Sequence, residues 1–147
     1  MPELYLWLLD RLLTPVLLVL AVILLLVGHN APGGGFIAGL VVATAFLLQI
    51  ISHGDEFVRQ LIGHRLQPTM GIGLLIAIAA AAVGLSEKTF FKGVWWKFAW
   101  GEFTIDLGTP TFFDIGVFLV VASVVVSYIL ELSRSRKMEE QFEEGQE

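Results

Sequence analysis

The sequence predicts an all-α integral membrane protein of four transmembrane helices, at about 12–27, 35–51, 70–85 and 113–130, with N and C termini cytoplasmic. Three observations carry the prediction. Hydrophobic residues fill 56% of 147 positions and mean hydropathy is +0.78, more apolar side chain than a soluble domain of this size can hide from water. Four segments of roughly 16 to 18 residues are continuously apolar, near the lower limit for crossing a bilayer core of ~30 Å. They do not alternate, so membrane strands fit poorly. Finally, Arg11, Arg59, Arg65, Arg134, Arg136 and Lys137 fall on one side of the spans, against Lys88, Lys92 and Lys97 on the other. By the positive-inside rule the first side is cytoplasmic. The chain reads as one membrane domain over 1–147, with an aromatic-rich non-cytoplasmic loop at 86–111 and a charged cytoplasmic tail at 131–147.

Composition excludes several classes. A formal charge of −5 and a pI near 5.1 give no basic field for nucleic acid. Without cysteine there is no disulfide framework, thiolate nucleophile or cysteine metal site. No nucleophile–base or metal constellation is present, so no catalytic residue, metal site or cofactor is assigned. No early basic region precedes the first apolar run, and Gly28-His29-Asn30 after it is not a small-residue cleavage site, so that run is expected to be a retained span.

The first helix is expected to begin near Leu4, before its apolar run, with Pro15 kinking it and Tyr5 and Trp7 anchoring at the interface. Starting at Pro15 instead would leave it too short to span. The stretch GHNAPGGGFIAGL, residues 28–40, then joins two apolar runs. Gly28 ends the first helix and Pro32 stops its continuation. Gly33, Gly34 and Gly35 let the chain reverse at once, but three glycines exceed what a turn needs. They point to a close approach of another backbone or side chain, or to amides converging on a ligand. His29 is the ionisable group of this turn, and histidine, with a reference pKa of about 6.5, is suited to proton exchange. An interfacial histidine that only hydrogen-bonds the loop is the plainer alternative.

Along the second span Gly35, Gly39 and Ala43 recur every four residues, a small-residue face for close helix packing. The third span, GIGLLIAIAAAAVG, is small-residue rich all round and suits the same role. In the following loop Phe90, Phe91, Trp95, Trp96, Phe98, Trp100 and Phe103 interleave with three lysines, the composition of an interfacial aromatic belt. The fourth span opens on Thr111-Phe112-Phe113-Asp114, spaced as a capping box with Asp114 in the first turn. As a boundary carboxylate Asp114 is also a candidate for collecting cations or protons. Gly116, Ser123, Ser127 and Glu131 share one face, as a polar seam or as serines bonded back to their own helix.

Between the ends of the four spans there is no Asp, Glu, Lys, Arg or His, Asp114 lying at a boundary; midspan polarity is limited to Thr44, Gln49, Ser123 and Ser127. Ion pumps bind their ion on intramembrane ionisable groups, so this chain alone is not a complete translocator.

The stretch GHNAPGGGFIAGL, with LGTPTFFDIGVFLVV at 107–121, resembles the MnhB-type small subunit of Mrp/Mnh multisubunit Na⁺/H⁺ antiporters. The family's motif residues correspond to His29, Asn30, Pro32, Gly33, Gly34, Gly35 and Phe36, and to Gly108, Thr109, Pro110, Asp114 and Gly116. Gly39 extends the packing motif, and the long aromatic loop is not assigned to the family pattern. The resemblance implies a small accessory subunit in the cell (plasma or inner) membrane, multi-pass and hetero-oligomeric with other membrane subunits. Such a complex exchanges Na⁺ for protons across the lipid bilayer and serves sodium tolerance and pH homeostasis. It implies no cofactor in this chain, and it makes His29, Asn30 and Asp114 candidates for bordering the cation pathway. Two alternatives stay open: a homologous subunit of a redox-driven ion-pumping complex of the membrane-bound hydrogenase type, or a pure scaffold subunit.

Overall fold

The computed structural model describes residues 2–28, 34–86, 95–100 and 103–145. Helix α1 covers Pro2–Val27 and runs through Pro15 without a break, so the span starts well before its apolar run, as expected from Leu4 onward. At about 1.5 Å per residue its 26 residues reach roughly 39 Å, more than the hydrocarbon core requires. Helix α2 covers Gly35–His53. After Gly54 the chain re-enters helix as α3, Asp55–Val58, passes through a π-helical turn at Arg59–Gly63, and continues as α4, His64–Ser86. Helix α5 is the longest, Thr109–Glu144, and carries the fourth span together with most of the charged tail.

Among the described residues, four helices are long and apolar enough to cross a membrane. All but the second start earlier than their apolar runs: the predicted 12–27, 35–51, 70–85 and 113–130 become helical segments beginning at Pro2, Gly35, Asp55 and Thr109. Polar and charged residues at helix ends add no apolar signal, yet Glu, Gln, Lys and Arg propagate a helix about as readily as leucine does.

The loop at 86–111 holds structure that hydropathy alone did not indicate. Strands β1 (Trp95–Trp100) and β2 (Phe103–Gly108) pair antiparallel, from Trp95↔Gly108 to Trp100↔Phe103. Aromatic and β-branched residues are favoured in such a ladder. The expected aromatic belt rests on side chains outside the described set.

The helices stand in a row: α1 against α2, α2 against α5, and α5 against α4. The core is correspondingly thin. Ala43, Ile50, Val58, Val126 and Leu130 are buried together, edged by Phe46, Ile62 and Leu66. In the most apolar window of each span, α2 has 33% of its residues buried and the third span only 6%. Large apolar side chains such as Leu75, Val19 and Ile78 therefore face outward, as lipid or a neighbouring membrane protein demands.

Candidate functional site

The first turn of α2 is seated against the start of α5. Gly34 has φ 88° and ψ −179°, a combination that only glycine adopts comfortably. Its N–H and that of Gly28 both donate to the carbonyl of Leu24, at 3.2 and 2.9 Å, which closes the end of α1. A Cβ on Gly34 would lie 3.4 Å from Oδ2 of Asp114, and one on Gly35 would strike the Asp114 carbonyl oxygen and the Phe118 nitrogen. One turn on, a Cβ on Gly39 would come within 2.9 Å of Val121 Cβ. The small-residue face of Gly35, Gly39 and Ala43 is thus the surface on which α5 lies. On the other side of α5, Gly116 and Gly73 of α4 face each other: each would place a Cβ within 2.8 Å of the other's carbonyl oxygen. Glycine is required at these crossings for closeness, not for flexibility.

Two predicted motifs thereby meet. Gly34 and Gly35 from the first contact Asp114 from the second, and Gly116 lies two residues further along α5. His29, Asn30, Pro32 and Gly33 lie outside the described residues. Phe36 projects outward from α2. Gly108, Thr109 and Pro110 form the cap and first turn of α5, which shifts the predicted capping box by three residues. Gly108 is the N-cap, and its N–H donates to the hydroxyl of Thr111 at 3.5 Å, so Thr111 occupies the third helical position rather than the cap. Proline fits that first turn, where no partner exists for an N–H. Asp114 consequently sits in the second turn, turned to the start of α2, and not in the first-turn position assigned from its spacing.

The seam on α5 faces the α4 side. Ser123 is buried and lines a cavity of about 250 Å³ with Thr69, Arg65 and Phe46. Ser127 and Glu131 line another of about 320 Å³ with Arg59, His64 and Gln67. Arg59, on the π-helical turn, reaches Oε1 of Glu131 at 3.2 Å and the Leu130 carbonyl at 2.9 Å. Glu131 stays 63% exposed, in keeping with the expected interfacial charge. Beside this pair the buried carboxylate of Asp55 takes the ammonium of Lys137 from α5.

A further polar group was not apparent from the spans. Asp10 and Thr14 of α1 are buried against α2. The Thr14 hydroxyl donates to Oδ1 of Asp10 at 2.6 Å, and Nδ1 of His53 stands 3.5 Å from Oδ2. Ser52 donates to the Leu6 carbonyl at 3.2 Å beside them. The available signal was the i, i+4 spacing of Asp10 and Thr14 inside a helix starting near Leu4, which puts both on one face. Among the described residues no three His, Cys, Asp or Glu side chains gather as a metal site.

Residues 6–127 match the family described as a domain related to the MnhB subunit of Na⁺/H⁺ antiporter. A Na⁺/H⁺ antiporter protein of the same B type from Bacillus subtilis (strain 168) is 32% identical over 125 residues, covering 81% of this chain and 85% of that protein. Its counterpart from Alkalihalophilus pseudofirmus is 32% identical over 129 residues, covering 85% and 88% respectively. The putative antiporter subunit mnhB2 of Staphylococcus aureus (strain Newman) is 32% identical over 113 residues, covering 74% and 79%. The family match takes in both glycine motifs, Asp10 and His53, and stops within α5 before its charged end.

Proposed function

The chain belongs to the MnhB family, and from that membership we propose that it is a small accessory subunit of a multisubunit Na⁺/H⁺ antiporter in the cell membrane. Its termini are cytoplasmic, which puts the glycine junction at the outer face and the Arg59–Glu131 end at the inner one. The larger partner subunits supply the intramembrane groups that bind and couple the ions. This chain holds them in place and, at Asp114 with His29 and Asn30 on the adjoining turn, borders the cation route.

The observation that carries the reading is where its polar groups lie. Among the described residues, the middle stretches of the four spans bear no ionisable side chain, and the charged groups gather near helix ends. A cation crossing the membrane needs such groups or a hydrated path at depth. A row of helices drawn together by glycines, with wide apolar flanks, fits a subunit packed among others far better than a lone carrier. The relatives are antiporter subunits by name, which supports reading the chain as a transporter component.

The test is to tag the chain, purify it from membranes in mild detergent and identify its companions. Large antiporter-like membrane subunits are expected. Recovery with nickel–iron or iron–sulfur proteins would replace this reading by the redox-driven one. Within the assembled antiporter, His29→Ala and Asp114→Asn should each alter the dependence of exchange on Na⁺ or pH. Normal exchange in both would reduce the junction to a packing role.

A further inference from the structure

The Asp10 carboxylate is a buried acid near the start of the first span, without a fixed cation. Its side chain is 9% exposed, and among the described residues neither lysine nor arginine pairs with it. A buried carboxylate left so is costly unless a partner supplies charge or hydrogen bonds, and such groups within spans mark ion or proton pathways. Each oxygen of Asp10 has its own neighbour: Oδ1 accepts from Thr14, while Oδ2 faces Nδ1 of His53. The imidazole is held by a stacking contact with Phe57, at 5.1 Å between centroids, and its side chain keeps 27% exposure. One turn deeper along α2, on the same face as His53, the side-chain oxygen of Gln49 is enclosed without a hydrogen-bond partner among the described residues. Both carboxylate oxygens of Asp10 thus have a neighbour, and a group able to take up a proton stands at the edge of the site.

We infer that Asp10 and His53 form a proton-binding dyad between α1 and α2. The imidazole takes one proton from the adjoining aqueous phase, the imidazolium is held by the Asp10 carboxylate, and the proton leaves by the reverse step. Only an N–H bond is made and broken. Imidazole is the side chain suited to this exchange near neutral pH. Na⁺ fits poorly, because a hard cation wants a shell of oxygens and here one side is an imidazole.

The other charges nearby are engaged elsewhere. The Arg11 guanidinium lies over the ring of Trp7 at 5.2 Å. From the segment following α2, Asp55 binds Lys137, Glu56 accepts from Gln60 and Arg59 binds Glu131. From α5, Lys137 and Glu131 are the partners in two of those pairs.

The transport consequence rests on the antiporter reading; the dyad itself does not. Asp10→Asn and His53→Gln are introduced into the assembled complex, with its amount checked by co-purification. Na⁺-driven collapse of a pH gradient in inverted vesicles is then followed across about pH 6.5 to about 9. Each variant should lower exchange by about tenfold or more and flatten its pH profile, and the double variant should be no worse than the poorer single one. Normal complex with unaltered profiles in both, or a change confined to Na⁺ affinity, overturns the proposal. Should the variants fail to assemble, NMR of the full-length wild-type chain in micelles decides. The Asp10 carboxyl carbon and the His53 ring carbons are expected to shift over one shared pH interval, and independent shifts overturn the dyad whatever complex the chain joins.

Discussion

Replacing Gly73 by Ala tests whether glycine sets the spacing of α4 and α5. The added methyl would meet the Gly116 carbonyl oxygen and Leu119 Cβ, each at 2.8 Å. An ordinary carbon contact needs about 3.5 Å, so the helices must part by about 0.7 Å or the side chains must leave their rotamers. A gap of that size forfeits a quarter to a half of each contact of about 0.1–0.2 kcal/mol. Over the few tens of atom pairs in a helix crossing, that loss is about 1–3 kcal/mol, the usual range for overpacking. Lipid gives little hydrophobic drive to offset it, because apolar tails solvate the separated helices well. Gly71 supplies the control. It lies two residues earlier in the same helix, and a Cβ there meets nothing within 4 Å. Both substitutions gain the same helix propensity, about 0.5–1 kcal/mol, which cancels in their difference. Unfolding of the purified full-length chain by SDS in mixed micelles, followed by circular dichroism, should therefore separate Gly71→Ala from Gly73→Ala by about 1–3 kcal/mol. A difference below about 0.5 kcal/mol would refute close packing as the reason for glycine here.

The same unfolding measurement checks three further expectations. Gly54 has φ 89° and ψ 158° with open space around its α-carbon, so Gly54→Ala should cost about 1–3 kcal/mol from backbone strain alone. Gly54→Asn should give no relief, because at positive φ asparagine is confined to the left-handed helical region, where ψ is about +50° and not 158°. Lys137→Gln removes the cation from an Asp55 side chain that is 7% exposed; with the lysine itself 60% exposed, the loss should be about 1–2 kcal/mol. Adding Asp55→Asn should recover part of it, measured as a double-mutant cycle. Arg59→Lys keeps the charge but cannot hold both Glu131 and the Leu130 carbonyl, and should cost about 1 kcal/mol with little dependence on salt.

Hydropathy made the four spans legible because lipid must solvate every position of a span, and that requirement is local. It left the other early helix starts unread for the same reason, and that of α1 was inferred only because a start at Pro15 would have been too short to span. Asp10 lies just outside the apolar run, yet helix continues through it, since backbone hydrogen bonding is indifferent to whether a turn is apolar. Turned to α2, that acid becomes buried instead of solvated. The capping box at Thr111-Phe112-Phe113-Asp114 was a sound local pattern, but Gly108-Thr109-Pro110 is an equally sound helix start, and the reach of Thr111 to Gly108 N–H favours the earlier frame. The π-helical turn at Arg59–Gly63 has no such local mark; the ring of Pro68 denies a donor to the His64 carbonyl just after it, but widening a turn also depends on what Arg59 finds across the bundle. The glycines were readable as sites of close approach, whereas what approaches was not. Gly35 and Asp114 are distant in sequence, and a helix face tells how near a neighbour can come without telling which helix arrives. Their meeting gives the two motifs one physical reason to occur together. A side chain at Gly35 would drive off the backbone of Asp114, so the start of α2 and the first turns of α5 are shaped to each other as a single joint.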